Sequence, residues 1–101
     1  MTLPIRYSTE DNQLTIMVKG VFDFHLVGAF REAYTGIAPT VEKIVIDFKG
    51  VEHIDSSGLG MLLNLRKTFA RTSIEIALIN CRDEVRQVLL NAQFDKVFTV
   101  N

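Results

Sequence analysis

The 101-residue chain has a single cysteine, Cys81, so an internal disulfide is excluded. A small, half-buried side chain is the role expected of that thiol. No charge of one sign prevails. Eleven Lys and Arg against twelve Asp and Glu leave a net charge of −1. The basic stripe of a nucleic-acid surface and the acidic tail of a disordered arm are both missing. No apolar run is long enough to cross a bilayer, and the N-terminus carries no signal-peptide pattern. The expected location is therefore the cytoplasm, without membrane insertion. The two histidines, His25 and His53, stand at no metal-ligand spacing, so no metal and no cofactor is expected. Glycine-x-serine-x-glycine elbows and phosphate-binding loops are absent. So are repeats, low-complexity stretches and linkers, and the length suits one domain over residues 1–101.

What is present is a regular alternation of element types. Hydrophobic residues make up 48% of the chain, enough for a core. Leu3, Ile5 and Tyr7 alternate with polar neighbours and predict a short strand, with Pro4 at its start or on an edge. After a turn over residues 9–12, Leu14, Ile16 and Val18 predict a second strand and a hairpin. Val27, Phe30, Tyr34 and Ile37 recur at helical spacing, with Asp23 as a candidate cap and Pro39 at the exit. Residues 42–48 read as a buried strand, 57–71 as a helix and 74–79 as another buried strand. Val85, Val88, Leu89 and Ala92 mark a last helix, with Asn80 as its possible cap. Residues 97–100 form a final strand or a packed tail. Strands alternating with helices imply an α/β fold, a mixed, mostly parallel sheet packed against helices through right-handed crossovers.

The most informative stretch is Asp55-Ser56-Ser57-Gly58-Leu59-Gly60, where a strand gives way to a helix. A hydroxyl there can cap the helix, and a phosphate added to one would meet the positive end of the helix dipole. On a helical wheel Leu59, Leu62, Leu65, Phe69 and Ala70 share one side and should pack on the sheet. Ser57, Gly60, Met61, Asn64, Thr68 and Arg71 share the other. Met61 is then expected to face water, as an adaptable apolar side chain for a partner's pocket. Gly58 and Gly60 weaken the helix start and would permit close approach of another chain. His53, Asp55 and Ser56 are too close in sequence for a nucleophilic triad, so an enzyme is not expected. Whether Asp23 and Asp55 meet is not decided by the sequence.

These features resemble the STAS domain family, in its anti-sigma-factor antagonist branch. The resemblance is carried by Ile44-Val45-Ile46-Asp47-Phe48, Val51 and residues 54–60. Gly20-Val21-Phe22-Asp23 and Glu84-Val85-Arg86-Gln87-Val88-Leu89 extend it to nearly the whole chain. It implies a single STAS-like domain that acts as a partner-switching regulator of transcription in a bacterial signal transduction pathway. The partners implied are a serine kinase that doubles as an anti-sigma factor, and a phosphoserine phosphatase. The serine after the aspartate, Ser56, is the phosphorylation site implied, with Ser57 left open as the alternative and a plain helix cap as the other role for Ser56. Asp23, Asp55, Ser57, Gly58, Leu59, Gly60, Met61 and Asn64 are the expected partner-binding residues. A STAS subunit of an ABC-type lipid transport assembly, clamping its ATPase, is the second function the resemblance allows. The chain departs from the family in its bulky Phe24, His25 and Tyr34, and in the lack of a glycine in Asn91-Ala92-Gln93-Phe94.

Overall fold

The computed structural model describes residues 2–101. The hairpin forms as the alternation predicts. Strand β1, Ile5–Ser8, runs antiparallel to β2, Gln13–Phe22, with Asn12 in a left-handed conformation (φ 51°) at the turn. Pro4 stands just ahead of β1, where its missing N–H costs nothing, and its carbonyl accepts from Met17 N at 2.9 Å. The strands β3 (Lys43–Ile54), β4 (Glu75–Ile79) and β5 (Thr99–Val100) then add in parallel, giving the order β1-β2-β3-β4-β5. Each parallel step needs a crossover. These are α1 (Val27–Tyr34), α2 (Ser56–Thr68) and α3 (Asp83–Asn91), with 3-10 turns at Phe24–Leu26 and Phe94–Lys96.

One hydrophobic core joins the helices to the sheet. Leu14, Ile16 and Val18 of β2 and Ile44, Ile46 and Phe48 of β3 enter it at every second position. Leu62 and Leu65 of α2 and Val85 and Leu89 of α3 close on them. The Phe22 ring lies 5.2 Å from that of Phe30 and 5.7 Å from that of Phe48, which ties α1 to the end of the sheet.

Several boundaries differ from the expectation, each for a local reason. Strand β3 does not stop at Phe48 but continues to Ile54. The register shifts between Met17 and Lys19 and between Gly20 and Val21 carry the pairing past the irregular Lys49-Gly50 step. Gly50 is needed there, since a Cβ would lie 2.7 Å from that of Lys19. Helix α1 ends at Tyr34, leaving Ile37 packed from the following loop. Helix α2 ends at Thr68, so Ala70 is exposed and off the sheet. Asn80 is not the cap of α3, whose N-cap position is Arg82. Asn80 instead adopts φ 58° and donates from Nδ2 to Asp47 Oδ1 at 3.1 Å. Gln93 fills the left-handed position (φ 62°) after α3 where a glycine would be unstrained.

The long β2–β3 ladder positions the site. Its last pair is Phe22 with Ile54, so Asp23 and Asp55 leave adjacent strands side by side.

Candidate functional site

Asp55 is the N-cap of α2. Its Oδ1 accepts from Gly58 N at 3.0 Å and from Ser57 Oγ at 2.6 Å. The Ser57 hydroxyl, helped by the Gly58 N–H, holds the Asp55 carboxyl below its ordinary range. Ser56, the first residue of the helix, is exposed, and its hydroxyl takes part in no hydrogen bond among the described residues. The helix cap is therefore Asp55, and Ser56 has no part in it. Ser57 is half-buried and tied to the cap.

Asp23 caps the 3-10 turn, accepting from His25 N at 3.1 Å and contacting His25 Nδ1. Its hydrogen bonds to His25 lower its pKa, while the neighbouring Asp55 charge acts in the opposite direction. The two carboxylates leave adjacent strand ends on one rim with Ser56. His53 is exposed and makes no hydrogen bond to Asp55 or Ser56, so no hydrogen-bonded relay of the three exists. Cys81 is half-buried, and burial raises its thiol to about 11, far from reactive at neutral pH.

Two expectations for α2 are corrected. Met61 does not face water: it is 8% exposed and belongs to the core. The buried arc of the helix is Gly58, Met61, Leu62 and Leu65, because α1 covers the flank next to the sheet-facing side. Leu63, 47% exposed, faces water instead. Gly58 does not leave room for another chain. A Cβ there would lie 2.2 Å from the carbonyl oxygen of Phe22 and 2.8 Å from Ile54 Cγ1, so the close approach is to the domain's own β2 and β3. Leu59 is half-buried against the core, whereas Gly60 is open, with nothing within 4 Å of an added Cβ. Asn64 is exposed and donates from Nδ2 to the Tyr34 hydroxyl at 3.2 Å, bridging α2 to α1.

The apolar side chain that the rim does offer is Phe24, 70% exposed beside Asp23. It borders a shallow groove of about 240 Å3 between α1 and α2, floored by Val27, Phe30 and Met61 and edged by Ser57, Gly60 and Asn64. The sequence signal for it was the bulk of Phe24 itself, in a segment too short to show its phase. Among the described residues, no group of three or more His, Cys, Asp or Glu is placed to hold a metal ion. Among the described residues, too, no helix is long and apolar enough to cross a membrane.

The STAS domain model matches residues 4–101. A STAS-domain-containing protein of Pseudomonas aeruginosa strain UCBPP-PA14 is 38% identical over 94 residues, 93% of each chain. The chain belongs to the STAS domain family. Among solved structures, a presumed anti-sigma factor antagonist of Thermotoga maritima superposes with a TM-score of 0.81 at 21% identity, over 97% of this chain and 84% of that one. The anti-sigma factor antagonist SpoIIAA in its unphosphorylated form gives 0.71 at 21% identity, over 99% and 87%. SpoIIAA, a Bacillus cell fate determinant, is also known in its phosphorylated form. At these identities the superpositions show a shared fold.

Proposed function

We propose that the protein is an anti-sigma factor antagonist that works by partner switching. Unmodified, it binds a serine kinase that is also the anti-sigma factor. Phosphorylation of Ser56 breaks that complex, and a phosphoserine phosphatase restores it. The observation that carries this reading is the division of labour at the start of α2. Asp55 does the capping and engages Ser57, which leaves the Ser56 hydroxyl exposed and unbonded. The antagonists among the structural neighbours support it.

The physics of the switch is local. Asp23 and Asp55 already give the rim two negative charges side by side. A phosphate adds about −1.5 to −2 more, all of which a docked partner would have to desolvate. The N-terminus of α2 accommodates the anion, so the domain need not refold. After incubation with the partner kinase and ATP, phosphate is expected on Ser56. Ser56→Ala should bind the partner and stay unmodified, and Ser56→Asp should bind about tenfold more weakly, both with native circular dichroism. Phosphate found on Ser57 alone, or a Ser56→Asp protein that binds as tightly as the unmodified chain, would reject the mechanism.

Phe24 supplies the apolar half of the same surface. Phe24→Ala should cost about 2 kcal/mol of binding, roughly thirtyfold in affinity, as exposed aromatic anchors do. Thermal stability should hold within about 0.5 kcal/mol, since the ring touches little of the core. Unchanged affinity, measured by calorimetry on the isolated partner, takes Phe24 out of the interface.

A further inference from the structure

A second cavity, of about 560 Å3, lies where the residues ahead of β1 meet the bulged part of β2 and the Lys49-Gly50 corner of β3, with the 3-10 turn closing one side. Its volume is in the roughly 300–1,000 Å3 range of small-molecule sites. It is not the groove beside Ser56; the two cavities share no lining residue. Leu3, Met17 and Leu26 give it an apolar interior, and Arg6, Lys19 and Lys49 give it three cations. Among the described residues none of those three has an acidic side chain within ion-pair distance. The one carboxylate in the lining, Asp47, is occupied: its Oδ1 accepts from Lys49 N at 2.9 Å and from Asn80 Nδ2 at 3.1 Å. Those neutral donors fix Asp47 without removing its charge, so around the apolar interior the lining sets three cations against one anion.

We infer that this cavity binds a single-chain anionic amphiphile of the fatty-acid class, its chain against Leu3, Met17 and Leu26 and its carboxylate among Arg6, Lys19 and Lys49. The charge on the lining selects an anion, and the apolar interior selects against a simple inorganic one. The size suits one chain. His25 lines the cavity and also contacts Asp23, so the occupant and the Ser56 rim share one side chain. The inference does not depend on how Ser56 is used.

Calorimetric titration of the full chain with monomeric sodium dodecanoate tests it. Saturable binding with one-to-one stoichiometry is expected. The double variant Lys19→Glu/Lys49→Glu should bind about tenfold more weakly, and so should Leu3→Ser in the apolar half. Lys19 and Lys49 are exposed, so the double variant should fold; if its melting differs from that of the parent, Lys19→Ala with Lys49→Ala replaces it. Dodecan-1-ol, which keeps the chain and lacks the charge, should bind about tenfold more weakly than dodecanoate. The inference is overturned by absent or unsaturable binding, by affinity indifferent to the lysine variants, or by equal affinity for dodecan-1-ol. It is also overturned if inorganic phosphate binds as tightly as dodecanoate, or if phosphatidylglycerol vesicles bind and monomeric dodecanoate does not.

Discussion

Ile46→Asp is expected to leave the chain unfolded. Ile46 is 0% exposed in β3, paired with Ile16 of β2 on one side and Leu78 of β4 on the other. Removing the aliphatic side chain alone costs about 2–5 kcal/mol. The carboxylate would add a desolvation penalty of several kcal/mol more, with no cation in reach of the core to offset it. Together these match the roughly 5–15 kcal/mol that hold a whole domain folded. Ile46→Val, which keeps the β-branch, should cost only about 0.5–1.5 kcal/mol. Denaturant melts of the two variants decide the matter. A cooperative transition in Ile46→Asp would show that β3 is not the centre of the sheet.

Gly58→Ala should be the most damaging single-methyl change in the site. The added carbon would sit 2.2 Å from a backbone oxygen of Phe22, which cannot rotate away, and 3.0 Å from the Phe22 ring. Seating it means lifting α2 off the ends of β2 and β3, at about 3 kcal/mol for overpacking. Gly60→Ala is the matched control. It meets open space and should stabilise the helix by about 0.8–1 kcal/mol. If Gly60 lies in the partner's footprint, that more stable variant will nevertheless bind the partner less well. Equal melting of Gly58→Ala and the parent would show that α2 does not rest so tightly on β2.

Leu14, Ile16 and Val18 read as a strand because one face is buried and the period is two. The Ile44 to Phe48 run read as a central strand because both neighbours are strands. The rest of β3 was not legible, since Lys49, Gly50, Glu52 and His53 are exposed and look like a loop. Their strand geometry comes from the bulged pairing with β2, which leaves no periodic trace. The STAS motif was legible, and so was the position of Ser56 at the helix start. Its hydrogen bonding was not, because Asp55, Ser56 and Ser57 are all capable caps and only the backbone path selects Asp55. Met61 was misplaced because α2 is covered on two flanks, by the sheet and by α1, and a single-stripe wheel allows for one. Phe24 is signalled in the sequence by its bulk where the family has smaller residues.

The two margins of the sheet have a consequence for behaviour at high concentration. β1 offers four residues with a proline at the entrance and an arginine in the middle, and β5 offers two. Neither is a template long enough for a strand from another molecule to zip onto. The ladder between β2 and β3 is flanked by strands only in its first half: Val18–Phe22 of β2 run past the end of β1, and Phe48–Ile54 of β3 run past the end of β4. Those margins are guarded by irregularity and charge, since the bulged pairing twists them and Lys19, Lys49 and Glu52 stand exposed along them, so a strand from another molecule meets brevity at β1 and β5 and twist with charge elsewhere.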